Sequence, residues 1–247
     1  MDMGIKDKFV SLWSKYFGEA ELPMVFYYTD DESCAEKAPF PVGHRCIIGA
    51  LSKVRRGKPL SFDAEAAGCG GARRYCGFSG EIDKNFTFFL SYGIPGKVEG
   101  ERYKRTPELV QKFLDQSTVF KAPGRFIVFK RWDAINEYDE PEGVIFYAPP
   151  DVISGLFTLA NFDREDANGV IAPFAAGCGT IVQFPYLEKN AERPRAVLGS
   201  FDVSARPFVG KNDLSMAFPM RRFLQLVDLM GESFLITPSW DRVKKRI

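Results

Sequence analysis

Ala66-Ala67-Gly68-Cys69-Gly70 and Ala175-Ala176-Gly177-Cys178-Gly179 are the same five residues at two places in one chain, with an offset of 109 between the cysteines. An identity of this kind prompts a search for a longer internal repeat. Working outward, Ala38-Pro39-Phe40-Pro41-Val42 faces Ala148-Pro149-Pro150-Asp151-Val152 at an offset of 110, and an apolar helical pattern follows each. Val25-Phe26-Tyr27-Tyr28-Thr29-Asp30 is similar to Val128-Phe129-Lys130-Arg131-Trp132-Asp133, and Phe89-Leu90-Ser91-Tyr92 to Leu198-Gly199-Ser200-Phe201. Four landmarks in one order predict two copies of a unit, about 22–124 and about 125–240. Residues 1–20 stand outside them, with Ile5, Phe9, Leu12 or Trp13, and Tyr16 at the spacing of an amphipathic helix.

Within a unit, the expected order is a strand, a helix, further strands around the Cys-Gly turn, and a last helix. Met24 to Tyr28 is rich in strand formers, and Val42 to Val54 places Val42, Cys46, Ile47, Ala50, Leu51 and Val54 on one helical stripe. Arg55-Arg56-Gly57 suits a helix end, because cations complement the last turn and Gly the position after it. Phe86 to Tyr92 reads as a strand. Thr106-Pro107-Glu108 opens a helix that runs through Gln116, and Ala217 to Met230 reads as the matching helix of the second copy. The predicted fold is α+β: one compact domain over residues 1–247, built from two copies related by a pseudo-twofold axis, plus the N-terminal helix. No Gly/Ser or Pro linker near Gly124 divides it.

A chain of 247 residues with 45% hydrophobic and 26% charged residues can bury a substantial core. Its 33 basic and 32 acidic residues give a net charge of +1, which offers no global attraction to nucleic acid or an anionic membrane. The start of the chain lacks a signal-peptide pattern, and nowhere do about 18 apolar residues run together. Five cysteines without paired spacing point to reduced thiols and a cytoplasmic setting. Oligomeric state is open.

The chemistry concentrates at the two Cys-Gly turns. Gly68, Gly70 and Gly71 around Cys69 allow close backbone approach, so N–H groups can face an anion or cofactor, and Arg73 and Arg74 would favour a Cys69 thiolate. Gly177, Cys178, Gly179 and Thr180 form the second candidate ligand-binding turn. Cys46 lies on the inward stripe of the preceding helix, and Cys76 follows Cys69 by seven positions. Convergence of Cys46, Cys69 and Cys178, with Cys76, would suit an iron–sulfur cluster or zinc. No C-x-x-C pair supports that, and His44, the one histidine, reads as a solvated residue. Cys34 reads as an exposed loop residue without a role. Asp202 and Arg206 read as a carboxylate and guanidinium placed together, either at a site or as a surface ion pair. Zinc-hydrolase motifs, Walker loops and the full dinucleotide fingerprint are missing.

Cys46 on a helix ending Arg55-Arg56-Gly57-Lys58, then Cys69-Gly70-Gly71-Ala72 with Gly77, then Ala176, Cys178, Gly179 and Thr180, together with Trp13-Ser14-Lys15-Tyr16-Phe17 and Glu21-Leu22-Pro23-Met24-Val25, resembles the uncharacterised ArCR family, domain of unknown function 169. The likeness spans nearly the whole chain. It points to Cys46, Cys69 and Cys178 as the shared cysteines, leaves Cys76 as an addition, and supplies no activity. The leading expectation is a binding or redox protein with one internal site, for a metal centre or a small anionic ligand. The alternatives are a thiol-dependent enzyme using Cys69, and a structural or interaction protein with inert cysteines.

Overall fold

The computed structural model describes residues 1–40 and 46–247. Its first element, α1 (Met3–Phe17), is capped by Asp2, whose carboxylate accepts the Gly4 N–H, and buries Phe9, Trp13, Tyr16 and Phe17. β1 (Met24–Thr29), β2 (Glu36–Lys37), α2 (Ile47–Arg55), β3 (Leu60–Phe62), α3 (Gly70–Tyr75), α4 (Phe86–Phe89), α5 (Pro107–Asp115) and β4 (Phe126–Arg131) follow. Then come β5 (Gly143–Ala148), α6 (Pro150–Asn161), β6 (Val170–Ile171), a π-helical turn (Gly179–Gln183), α7 (Phe184–Glu188), β7 (Ala196–Gly199), β8 (Leu214–Pro219), α8 (Met220–Leu229) and α9 (Pro238–Lys244). The result is an α+β fold on a single mixed sheet of eight strands, with nine α-helices among the described residues. None of these helices is long and apolar enough to cross a membrane.

The sheet order is β2-β3-β4-β1-β5-β8-β7-β6. The outermost pairs, β2 with β3 and β6 with β7, are parallel, and every other pairing is antiparallel. Strand alternation divides the core between the two faces. Val25, Val144, Phe146, Met216 and Phe218 point into a cluster closed by α1, α6, α8 and α9. Met24, Phe26, Ile145, Tyr147 and Ala217 point the other way, into a cluster closed by α2, α3 and the π-helical turn. The segments that carry Cys46, Cys69, Cys76 and Cys178 therefore share one face of the sheet.

Several local expectations need correction. Phe86 to Tyr92 is not a strand but a short helix and turn, because no neighbouring strand offers it hydrogen bonds; Ser91 Oγ donates to Thr87 O, and Gly93 reverses the chain at φ 79°. Ala217 to Met230 is the end of β8 followed by α8, with Pro219 at the junction, where a ring without an N–H suits a helix start and not an interior. The helix from Pro107 with Thr106 as cap is present and ends at Asp115. The stripe read from Val42 begins at Ile47 as far as it is described, and residues 41–45, His44 among them, lie outside the described residues. The two identical pentapeptides occupy different stations: 66–70 follows β3, whereas 175–179 runs into the π-helical turn at Gly179 and precedes β7. Val25–Asp30 and Val128–Asp133 fall largely on β1 and β4, which pair antiparallel as neighbours.

Candidate functional site

Three elements close over Tyr147 and Ala217: the start of α2, all of α3, and the π-helical turn. Glycine makes their close packing feasible. A side chain at Gly177 would stand 3.2 Å from Ile48 Cγ1 and 3.3 Å from Ala205 Cβ, and one at Gly179 would stand 3.2 Å from the Tyr75 ring. Tyr75, at the end of α3, thus lies against the second Cys-Gly turn, and the two turns meet despite their different stations. Cys76 and Cys178 are buried in this cluster, and Cys46 and Cys69 pack partly buried against it. Four of the five cysteines are gathered here.

Each sulfur has a different setting. Cys69 caps α3, its Sγ accepting the Ala72 N–H at 3.3 Å. Cys46 occupies the cap position of α2 without a side-chain hydrogen bond to the first turn. Burial pushes the Cys46 and Cys76 thiols up, and the neighbouring Cys69 adds to both shifts. Cys178 is pushed well above the ordinary thiol value by burial, then by Cys76, Cys69 and Cys46. Burial likewise raises Tyr75 to about 12, with Cys178 contributing. At neutral pH the buried part of the cluster is therefore protonated, a set of S–H and O–H donors rather than thiolates.

The other expected residues divide. Arg73 is exposed, and Arg74 is buried with Nη1 donating to Gly80 O at 3.0 Å. Neither donates a hydrogen bond to Cys69. Gly68 supplies a left-handed turn at φ 83°, Gly70 borders open space, and Gly71 lies beside the Cys69 sulfur. Thr180 is a lock rather than a presented ligand: it is buried and its Oγ1 donates to Gly177 O at 2.9 Å. Asp202 and Arg206 form no ion pair. Asp202 accepts the Gly177 N–H at 3.1 Å and the Ser204 Oγ–H at 2.9 Å, tying the second Cys-Gly turn to loop 200–213, while Arg206 is spent on the carbonyls of Asp213 and Lys211 at 2.6 and 2.8 Å. Cys34 stands apart. It is partly buried rather than exposed, donates to Asp31 O at 3.1 Å, and lies near Tyr27 and Lys130, which point to the opposite face from Phe26 and Phe129.

The expected metal set of Cys46, Cys69 and Cys178 with Cys76 is not assembled as one. Among the described residues, no three Cys, His, Asp or Glu side chains stand as a group that could hold a metal ion. The thiols share an apolar cluster, but they arrive from separate helix ends, and Cys69 turns its sulfur onto its own helix.

Three features were not anticipated. The Tyr147 hydroxyl is buried with no hydrogen-bond partner among the described residues, on a residue only 7% exposed. It lies near Cys46, Cys178 and Ser200, whose hydroxyl donates to Ser215 Oγ at 2.9 Å and keeps its oxygen as an acceptor. Ser200 adopts φ 65°, a left-handed conformation that costs a non-glycine residue energy and recurs at functional sites. The turn after Cys178 is π-helical, a geometry also frequent at such sites. No sequence signal marks Tyr147, since every residue of β5 is buried and no alternation singles out one face.

The family model described as uncharacterised ArCR, domain of unknown function 169, matches residues 16–228. No curated protein matches the chain. No solved structure matches it.

Proposed function

The chain belongs to the uncharacterised ArCR family, and from that premise we propose that it binds a small polar ligand where α2, α3 and the π-helical turn meet over Tyr147. The observation that carries this reading is the buried Tyr147 hydroxyl without a partner, set among Cys46, Cys178 and Ser200. An unmet hydroxyl inside a well-packed core is a standing cost that a ligand atom would remove. The strained Ser200 and the π-helical turn beside it support the same place. Protonated, buried thiols weigh against nucleophilic chemistry at Cys46, Cys76 or Cys178. Thiol-dependent chemistry at Cys69 is the second reading, favoured by its partly exposed sulfur and the Ala72 N–H aimed at it.

The same reading takes the fold as an internal duplication with its units redrawn as β1–β4 and β5–β8. Its support is the sheet order, in which β1, β4, β3, β2 run outward from the centre on one side and β5, β8, β7, β6 on the other, with matching pairing senses. Five free thiols support a reducing, cytoplasmic setting. The test is protection from alkylation by iodoacetamide, read by peptide mass spectrometry across a panel of small anions, cations and neutral metabolites. A bound ligand slows modification of Cys46 and Cys69 and leaves Cys34, on the other face, unchanged. A panel in which no member shields Cys46 or Cys69, with native mass spectrometry showing the bare polypeptide mass, refutes the proposal.

A further inference from the structure

Ala72 and Cys76 of α3 and the residue after it are buried in the cysteine cluster. Arg74, two positions from each, falls on the other side of the helix, because residues two apart do not face the same way. It is only 6% exposed there, against the loop that leaves α3, and Nη1 donates to Gly80 O at 3.0 Å. The other buried cations among the described residues each have a carboxylate: Lys130 has Asp139 at 2.8 Å, and Arg222 has Asp163. Arg74 is paired with none of the described carboxylates, and Pro41-Val42-Gly43-His44-Arg45 includes no acid that could serve. Its Nε is buried and has no hydrogen-bond partner among the described residues.

A guanidinium keeps its charge inside a protein, so neutralisation does not relieve its burial. One carbonyl dipole offsets a full charge only in part, and a buried charge without a counter-charge is costly. The group that would remove this cost is defined by the free edge. Nε–H and an N–H of Nη2 run parallel, a fork that matches two oxygens of one carboxylate or phosphate. The cover over Arg74 is lightly held. Residues 79–83 have neither helix nor strand structure, and Gly80, Glu81 and Asp83 are exposed. Side chains bond this stretch mainly to itself and its flank, with the Glu81 N–H on Ser79 Oγ at 3.1 Å and the Asn85 N–H on Asp83 Oδ1 at 2.7 Å. Moving it aside therefore exposes the guanidinium at the loss of few hydrogen bonds.

We propose that Arg74 anchors an oxyanion site between α3 and residues 79–83, taking a carboxylate or phosphate group side-on through Nε and Nη2. This site is separate from the one at Tyr147 and does not depend on it. The Nε–H is itself the probe. Nitrogen–proton NMR spectra of the full chain, with the Arg74 Nε–H signal assigned by its loss in Arg74→Lys, follow titrations with sodium acetate and with sodium phosphate at an ionic strength held constant by chloride. At least one anion shifts the Arg74 signal along a saturating curve that the exposed Arg73 does not follow, and which anion does so assigns the group. No saturating shift with either anion, or the same shift at Arg73 and Arg74, overturns the proposal. Stability gives a second reading. Arg74→Met should melt no lower than wild type in chloride and lose the rise in Tm that the binding anion gives wild type, a rise that Arg73→Gln keeps. An Arg74→Met protein that melts below wild type in chloride overturns the proposal. So does a loss of Tm in Glu81→Gln that vanishes in an Arg74→Met background, because the chain would then supply its own anion.

Discussion

Replacing Tyr147 by Phe in the ligand-free protein should make it more stable, an unusual direction for a core substitution. The ring remains and continues to pack on Ile145's side of the sheet within the same apolar cluster. Arg55 keeps an aromatic face at the 5.2 Å it now has. What is removed is one hydroxyl, buried and without a partner among the described residues. A buried polar group left unsatisfied costs about 1–3 kcal/mol, and deleting an oxygen atom gives back part of that as lost packing. A net gain of about 1 kcal/mol is the expectation, or a rise of roughly 2–4 °C in Tm for a chain of this size. Thermal unfolding and urea titration measure it, with an unchanged m-value as the control that the denatured state is unaffected. With the ligand in excess the order reverses, because wild type gains the larger binding contribution. A ligand-free variant less stable than wild type by 1 kcal/mol or more would mean that the hydroxyl has a structural partner, and the case for a ligand there would lose its main support.

Lys130 and Asp139, each 4% exposed, form an ion pair at 2.8 Å into which the Tyr27 hydroxyl also donates; Lys130→Met should cost about 3–5 kcal/mol by leaving a buried carboxylate unmatched, and a urea midpoint close to wild type would contradict that. Asp163 is held below its ordinary carboxyl value by hydrogen bonds from Arg222. Its contribution is therefore present above the unfolded pKa of about 3.9 and lost as pH falls through the lower folded value. Asp163→Asn should flatten the acid limb of the stability curve below about pH 4, modestly because the carboxylate is partly solvated, and an unchanged limb would count against the pair. Cys76 and Cys178, buried and protonated, should react with iodoacetamide only after unfolding, and modification of either in the native state would contradict their placement. A side chain at Gly199 would collide with Thr180 Oγ1 and Cβ; Gly199→Ala should cost about 1–3 kcal/mol, and adding Thr180→Gly, which removes both atoms, should show a favourable coupling in a double-mutant cycle, whereas purely additive costs would contradict the clash.

The parts of the fold legible in the sequence are those where one element carries its own signal. Thr106-Pro107 starts α5 because a hydroxyl cap and a ring without an N–H both belong at a helix start. Met24 to Thr29 is a strand because its residues suit a pleated surface and it has β4 and β5 as partners. Phe86 to Phe89 carries the same composition, yet it is helical, since a strand exists only where a neighbour completes its hydrogen bonds. The alternation of Leu214, Met216 and Phe218 is that of a strand, and the helix read from Ala217 starts only past Pro219, which is its boundary.

The site shows the same division between local and long-range information. The Cys-Gly turns stand out in the sequence because glycine and cysteine are distinctive at short range, and both turns do reach one cluster. Their identity does not extend to their places in the fold: 66–70 comes after β3, and 175–179 before β7. Gly177 and Gly179 are required by Ile48, Ala205 and Tyr75 pressing against them, whereas Gly68 serves a left-handed φ of 83° and Gly70 faces open space, so the same residues answer different needs at the two turns. Tyr147 has no local mark at all. Its hydroxyl becomes notable only when α2, the Cys178 turn and the strained Ser200 are seen to surround it and it stands without a hydrogen bond among the described residues. A binding site defined by an unmet hydrogen bond is a property of packing, and packing is set by contacts between residues far apart in the chain.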